Sequence, residues 1–234
     1  MSARIADTAR IAPSATVSDA RIGPYASVDS YARVGSFARI GADASVGSYA
    51  RIGSYASVGL YARIDSCASV GLYASVGSAA HIGLGAHIGS HARVASGARV
   101  GSYARIDSGA YIGSAARITR CTDALHYGPI GSEDRYVTMY RLADGSEALH
   151  CGCWTGSLDE LSERIEHESA HGWHSAISER CRDEYRALIA LCRAHLARHD
   201  WSADREQTDA EAGDERMWAE QRAAVEKAKL DRSA

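Results

Sequence analysis

A repeat of six residues runs from Ile22 to Ile118, and it constrains the fold more than any other feature of the sequence. Its unit reads Ile/Val-Gly-Ser-Tyr-Ala-Arg, and the aliphatic position holds Ile or Val in every copy. An α-helix has 3.6 residues per turn, so a period of six does not keep to one of its faces. A strand keeps its phase, because six is three steps of the two-residue alternation. The repeat therefore predicts a solenoid of short strands.

The residues around each aliphatic position predict which side chains point inward. An Ala stands two positions earlier in every copy, from Ala20 to Ala116, and a Gly usually follows. The alternation turns the Ala and the Ile or Val inward and the residue between them outward. The Gly is expected at corners, where it tolerates a positive φ. Three units close a coil of about 18 residues, with coils stacked about 4.8 Å apart.

This unit resembles the aliphatic-Gly-x-x-Ala-x motif of the hexapeptide-repeat left-handed β-helix family over residues 5–118. The resemblance implies an all-β left-handed parallel β-helix in residues 1–120, the first 21 residues forming a first coil or an imperfect cap. It also implies a homotrimer with clefts between chains. For the acyltransferases of the family it implies acetyl-coenzyme A as donor and a His as general base. The motif is specific for the fold, whereas many functions share it.

A small α+β domain is predicted for residues 121–200. Residues 121–134 read as a connector, and residues 136–141 and 148–154 read as a hairpin. Ser157 and Glu160 form a capping box that begins a short helix, and a long amphipathic helix runs from Ile177.

This second domain resembles a small domain found beside hexapeptide helices in phage and bacterial proteins. The resemblance rests on residues 128–132 and 151–156 and implies no activity. Residues 201–234 are charged and rich in Ala, which predicts a tail that is helical or disordered.

Charge is divided unevenly along the chain. Residues 1–118 hold eleven Arg, six Asp and neither Lys nor Glu, a net charge of +5, while the whole chain carries −3. The basic solenoid could attract a small anion or the acidic remainder. Alternatively, Arg is simply a soluble outward residue that protects strand edges. A partner of duplex nucleic acid is not expected.

The location is predicted from cysteines and apolar runs. The six Cys stand at irregular positions, unlike a disulfide framework, which favours a reducing cytoplasm. No signal peptide and no apolar run of membrane-spanning length is recognised, so we expect no membrane partner.

Three His cluster in the solenoid and are the candidates for chemistry. His81 and His87 take the outward position on adjacent faces, and His91 takes a corner. Adjacent faces of a triangular coil point apart by about 120°, so His81 and His87 could meet only between chains of a trimer. Stacking predicts Arg99 beside His81 and Arg105 beside His87, and neighbouring cations favour the neutral imidazole of a base. If the protein is an enzyme, His81 or His87 is the predicted catalytic base.

Corner residues change character near these His. They are mostly aromatic up to Tyr73 and mostly small from Ala79 onward, where outward residues become His or Arg. This predicts a cleft between chains that binds a small anionic ligand such as a nucleotide. Its candidate residues are His81, His87, His91, Arg93, Arg99 and Arg105. The alternative is that the corner and outward residues vary without functional consequence, because the solenoid tolerates such substitutions, and that the His are simply solvated.

Two further patterns have structural interpretations. Phe37, Tyr55 and Tyr73 stand one coil apart on one edge, which predicts stacked rings. His150, Cys151 and Cys153 form a His-Cys-x-Cys cluster, in which strand alternation turns the two Cys to one face and His150 to the other. A metal site there would need a distorted strand and a fourth ligand such as Cys121. We therefore favour core or edge thiols and predict no metal site, while metal binding by Cys151 and Cys153 stays open as the alternative.

Two functions remain open on the sequence. The first is a non-enzymatic trimeric scaffold or binding protein without a cofactor. The alternative is a hexapeptide-class acyltransferase that uses acetyl-coenzyme A. The repeat carries no insertion between Ile22 and Ile118 that could close over a substrate, and no Pro of the kind that ends the family's C-terminal coil is apparent. Both features favour the first function.

Overall fold

The computed structural model describes residues 3–131, 134–166 and 179–201. The predicted tail beyond Trp201 and the predicted helix start at Ile177 lie outside these residues. The described chain consists of a solenoid followed by an antiparallel sheet with two helices.

Within residues 3–131, each copy of the repeat forms one strand of two residues, with the outward residue first and the aliphatic residue second. These strands are β1 (Arg4–Ile5), β2 (Arg10–Ile11), β3 (Thr16–Val17), β4 (Arg21–Ile22), β5 (Ser27–Val28), β6 (Arg33–Val34), β7 (Arg39–Ile40), β8 (Ser45–Val46), β9 (Arg51–Ile52), β10 (Ser57–Val58), β11 (Arg63–Ile64), β12 (Ser69–Val70), β13 (Ser75–Val76), β14 (His81–Ile82), β15 (His87–Ile88), β16 (Arg93–Val94), β17 (Arg99–Val100), β18 (Arg105–Ile106), β19 (Tyr111–Ile112) and β20 (Arg117–Ile118).

The strands pair in parallel and build three flat faces. The first face holds β1, β4, β7, β10, β13, β16 and β19, the second holds β2, β5, β8, β11, β14, β17 and β20, and the third holds β3, β6, β9, β12, β15 and β18. Ile64 pairs with Ile82, three repeat units further along the chain. Ile5 of the first coil pairs with Ile22, so that coil is shorter than the regular ones by a single residue. The predicted left-handed parallel β-helix is confirmed.

The interior of the solenoid is a column of Ala and branched aliphatic side chains. Ala80 and Ile82 are each 0% exposed, while His81 between them lies on the surface. Burial of one such aliphatic side chain contributes about 1.5–3 kcal/mol. A slip of one residue would turn every core side chain outward, so the burial holds the register. The predicted inward and outward positions are confirmed.

The corners correct our sequence-based explanation of the repeated Gly. The left-handed conformation falls two residues after the Gly, for example at Tyr73 with φ +57°. The Gly is needed because the next coil lies too close for a side chain. A Cβ at Gly71 would lie 2.6 Å from the backbone nitrogen of Ser90.

Four antiparallel strands follow the solenoid after a 3₁₀ turn at Cys121–Asp123. They are β21 (Ala124–Ile130), β22 (Arg135–Arg141), β23 (Glu147–Cys151) and β24 (Trp154–Gly156), paired in that order. The predicted hairpin corresponds to β22 and β23, and the structure adds two strands to it. A bulge between Tyr127 and Ile130 accommodates the turn-like residues between them, so the segment interpreted as a connector pairs as β21. A turn at Gly152 separates β23 from β24.

Two helices cover this sheet. They are α1 (Leu158–Glu166) and α2 (Glu179–Arg198). The predicted capping box is confirmed, because the Glu160 backbone N–H donates to Ser157 Oγ at 3.1 Å and the Ser157 N–H donates to Glu160 Oε2 at 2.8 Å. Leu161 and Leu188 pack with Leu149 of β23 in one core. No helix among the described residues combines the length and apolar character needed to cross a membrane.

The antiparallel sheet packs on the C-terminal end of the solenoid. The Tyr140 side chain joins the solenoid core and is 2% exposed. Ala116 of the last coil forms a β-bridge with Leu142. Burial, with a smaller contribution from Tyr111, raises the pKa of Tyr140 to about 12. The solenoid core therefore continues into the second region.

Candidate functional site

A cavity of approximately 490 Å³ lies where the first face of the solenoid meets the antiparallel sheet. His91, Arg93 and Tyr111 line it from the solenoid, and Arg135 and His150 line it from the sheet. Of the six predicted ligand-binding residues, His91 and Arg93 are therefore brought together within one chain. We call this space the sheet cavity.

Ring stacking and hydrogen bonds hold one wall of the sheet cavity. Tyr111 stacks on His150 with ring centroids 3.9 Å apart and an interplanar angle of 26°. The backbone N–H of Tyr111 donates to Thr138 Oγ1 at 3.2 Å. Burial and the charge of Arg93 lower the pKa of His150, so its imidazole is neutral near pH 7. The wall is thus aromatic, with Arg93 beside it.

A column of stacked rings runs along the edge between the third and first faces. Phe37, Tyr55, Tyr73 and His91 form it, with successive centroids 5.0, 4.8 and 5.1 Å apart. The predicted stacking of the first three rings is confirmed, and His91 extends it. We call these four residues the ring column. The column ends at the sheet cavity, since His91 lines both.

A second site lies on the second face, around His81. His81 stands between Arg63 and Arg99 in register. Its Nε2 lies 2.7 Å from Oδ2 of Asp65, and Nε of Arg63 donates to Oδ1 of Asp65 at 2.8 Å. The Asp65 side chain is 15% exposed and that of His81 is 35% exposed. The carboxylate is thus largely enclosed, and the imidazole reaches solvent.

Asp65 is ionised at neutral pH in spite of its burial. Burial on its own raises the pKa of Asp65, but the hydrogen bond and charge of His81, followed by those of Arg63, outweigh it and lower the pKa. A carboxylate at Nε2 favours the tautomer with hydrogen on that nitrogen. In neutral His81, Nδ1 then carries the lone pair that can accept a proton.

The other predicted residues are spread over two faces. His87 lies on the third face in register with Arg105, and it makes no ion pair with a carboxylate among the described residues. Arg105 and His126 line a smaller cavity of approximately 110 Å³. Arg99 follows His81 on the second face. Within one chain, the six residues therefore do not form a single site.

The His-Cys-x-Cys segment is split by the turn after β23. Cys151 is buried, with its Sγ 3.5 Å from the hydroxyl of Tyr185, whereas Cys153 is exposed. His150 faces Tyr111 instead. In the ranges that the structure describes, no three His, Cys, Asp or Glu side chains form a group that could hold a metal ion.

Among known proteins, similarity to this chain is found in solved structures. No family model and no curated protein matches the sequence. The acetyltransferase domain of PglB from Neisseria gonorrhoeae is 22% identical, with 49% of this chain and 53% of that one covered and a TM-score of 0.39. Perosamine N-acetyltransferase from Caulobacter crescentus, solved with coenzyme A and GDP-perosamine, is 20% identical, with 50% and 55% covered and a TM-score of 0.37.

A third similar structure is the UDP-N-acetylglucosamine acyltransferase from Francisella novicida. It is 17% identical, with 46% of this chain and 55% of that one covered and a TM-score of 0.32. The chain spans about half the length of these three structures. Its own repeat and coil register decide the fold. The chain is a hexapeptide-repeat β-helix. Residue roles in this β-helix rest on its own geometry, because likeness at these identities concerns the fold alone.

Sequence reasoning assigned no part in these sites to Asp65, Tyr111 or His150. For Asp65 the β-helix repeat contained a signal. Asp65 takes the place of the usual Gly after Ile64 and stands nearly one full coil before His81, which puts the two near the same corner. The contact between Tyr111 and His150 had no such signal, because it depends on how the antiparallel sheet docks on the β-helix.

Proposed function

We propose that the protein is an acyltransferase that moves an acyl group from a coenzyme A thioester to a small acceptor. His81 is the general base in this proposal, and Asp65 is the positioning residue that orients it. The observation that carries the proposal is the 2.7 Å hydrogen bond between His81 Nε2 and Asp65 Oδ2. General base catalysis by a positioned imidazole typically accelerates a reaction by roughly 10²–10⁴-fold.

The proposed reaction uses the free nitrogen of His81. Nδ1 removes a proton from an amino or hydroxyl group of the acceptor. The acceptor nitrogen or oxygen bonds to the thioester carbonyl carbon, the carbon–sulfur bond breaks, and the leaving thiolate takes the proton from His81. Meanwhile the Asp65 carboxylate stabilises the imidazolium, because opposite charges in contact favour the charged form.

The proposal includes a homotrimer with coenzyme A bound between chains. The three faces are flat, and a threefold assembly packs one face against a different face of its neighbour. Such packing would enclose the partly exposed His81 in a cleft. Enclosure from water strengthens the electrostatic interactions that the reaction uses.

A matched pair of His variants tests the proposal. Thiol release from acetyl-coenzyme A is measured with a panel of amino and hydroxyl sugars as acceptors. His81→Gln should lower kcat by about 10²-fold or more, and Asp65→Asn should lower kcat and change the pH profile with little change in KM. His87→Gln is the control, since His87 lacks a carboxylate partner among the described residues. Loss of activity in His87→Gln but not in His81→Gln would contradict the assignment.

A non-enzymatic trimeric scaffold or binding protein is the second candidate function. The unbroken pairing of β4 through β20 favours it, because no insertion interrupts the described coils to cover a substrate. Absence of turnover across the panel, together with absence of heat on titration of coenzyme A, would leave this function in place of the first.

A further inference from the structure

The ring column has a defined continuation at Gly109. Gly109 stands three repeat units after His91, at the same corner of the next coil. Its N–H donates to the Ser90 carbonyl at 2.9 Å, as the His91 N–H donates to the Leu72 carbonyl at 2.9 Å. The backbone of the edge therefore continues past His91 without a side chain on it.

Space for a ring lies above His91. An added Cβ at Gly109 would meet no atom within 4 Å. One side of the His91 imidazole stacks on Tyr73, one coil earlier, and the open Gly109 position lies at the same corner one coil later. Successive rings of the column are about 5 Å apart, and rings stack favourably at centroid distances of roughly 4.5–7 Å. A planar ring bound here would continue the column.

The open position belongs to the sheet cavity. Both His91 and Gly109 line that cavity, whose volume of approximately 490 Å³ falls in the range of about 300–1,000 Å³ usual for small-molecule sites. Two guanidinium groups, from Arg93 and Arg135, and one carboxylate, from Asp134, also line it. The Arg93 side chain makes no hydrogen bond or ion pair with any residue that the structure describes.

We infer that the sheet cavity binds a nucleoside phosphate, whose base stacks on His91 at the Gly109 position and whose phosphate pairs with Arg93 and Arg135. Aromatic rings bind bases by stacking, and a guanidinium group pairs with phosphate through two parallel hydrogen bonds. The site lies within one chain, and Tyr111 and His150 form the wall beside the phosphate position. It is separate from His81, which lies on the second face and does not line this cavity.

Filling the open position is the direct test. In Gly109→Tyr the new ring would occupy the base position, and the corner accepts it because Tyr73 adopts the same conformation in the same column. Calorimetric titration of the full chain with AMP should show binding that Gly109→Tyr weakens about tenfold or more. Gly97→Tyr is the matched control. Gly97 has φ +73° and a nearly open side-chain position on the edge between the first and second faces, away from the cavity.

A second pair of variants tests the phosphate position. Arg93→Gln should weaken AMP binding and reduce its dependence on salt, whereas adenosine binding should change little. Arg99→Gln, an exposed Arg on the second face, should leave AMP binding unchanged. Coenzyme A carries the same chemistry at its nucleotide end, so it is titrated in parallel. Binding of AMP would identify a free nucleotide as sufficient, and binding of coenzyme A alone, lost in Gly109→Tyr, would identify the coenzyme as the source.

Two results would overturn the inference. The first is the absence of binding by AMP, GMP, UMP, CMP and coenzyme A alike. The second is nucleotide binding that Gly109→Tyr and Arg93→Gln leave unchanged while both variants remain folded by circular dichroism. His81→Gln should not affect AMP binding, so failure of the acyl-transfer proposal and failure of this inference are distinguishable.

Discussion

Nε2 of His81 lies 2.7 Å from Oδ2 of Asp65, although nearly a full coil of chain separates them. The contact joins two adjacent coils on the outside of a solenoid whose inside is apolar. Nε of Arg63 donates to the other carboxylate oxygen of Asp65. The side chains of Arg63, Asp65 and His81 therefore form one hydrogen-bonded cluster. The charged side chains on this face are therefore placed by specific local contacts, which the net charge of the chain does not reveal.

The Asp65 contact predicts a specific dependence of stability on acid. The pKa of Asp65 is below its usual value of 3.8 in the folded chain, so its contribution is complete above the unfolded value and is lost as pH falls through the folded value. Asp65→Asn should lower the urea midpoint at about pH 6 and flatten the decline that the parent chain shows below about pH 4. Asp43→Asn, at an exposed corner, should leave the profile unchanged. Identical profiles for the parent chain and Asp65→Asn would contradict the contact.

Coil spacing predicts a difference between two Gly→Ala substitutions. Gly71→Ala should destabilise the chain by about 3 kcal/mol, since the new Cβ would collide with the backbone of the next coil. Gly97→Ala should cost about 1 kcal/mol, because its Cβ would make only an ordinary contact with the Ser114 carbonyl oxygen and its positive φ alone opposes a side chain. Urea denaturation of both variants measures the difference. Equal costs would show that the coils do not approach as described.

Tyr140 predicts a loss of stability in alkali. Its pKa is raised by burial from 10.0 to about 12. The unfolded chain therefore releases this proton first, and stability falls as pH rises from 10 to about 12. Tyr140→Phe should show a shallower fall in the urea midpoint across that window. Tyr103→Phe, which is 64% exposed in the parent, is the control and should follow the parent curve.

The trimer proposal predicts a particle mass. Sedimentation equilibrium at micromolar concentration should give three times the chain mass of 24.9 kDa. A mass of one chain would remove the intersubunit cleft from the acyl-transfer proposal. The sheet cavity would be unaffected, because one chain supplies all its described lining.

Features that depend on residues close together in the chain could be predicted from the sequence, and features that depend on distant residues could not. The period of six fixes each strand through neighbours two residues apart, so the burial of Ala80 and Ile82 was predictable from alternation alone. Gly113 looks like every other Gly of the repeat. A Cβ there would collide with the hydroxyl of Tyr140, which lies on the docked sheet. Docking of the sheet depends on contacts between residues that are far apart in the chain. The six-residue period carries no information about these contacts.

The candidate sites divide in the same way. The ring column was predictable because its members recur once in every coil, and Asp65 could have been found by the same arithmetic. The prediction of one cleft uniting His87 with Arg93 assumed packing between chains, and no contact within one chain unites them. The wall made by Tyr111 and His150 needed the sheet in position.

From Tyr25 to Gly109, the corners of the solenoid adopt one left-handed backbone conformation with Tyr, Phe, Cys, Ala, Asp, His or Gly in place. The hydrophobic column inside holds the register, so a corner side chain can be exchanged without disturbing the coil behind it. A binding position on such an edge can therefore be moved along the solenoid by substitution of corner residues. Placing Tyr at 109 and Gly at 91 would shift the interruption of the rings by one coil, about 4.8 Å along the axis. A protein of this kind can acquire a ligand-binding site, or move one, through substitutions at its corners while its core residues stay the same.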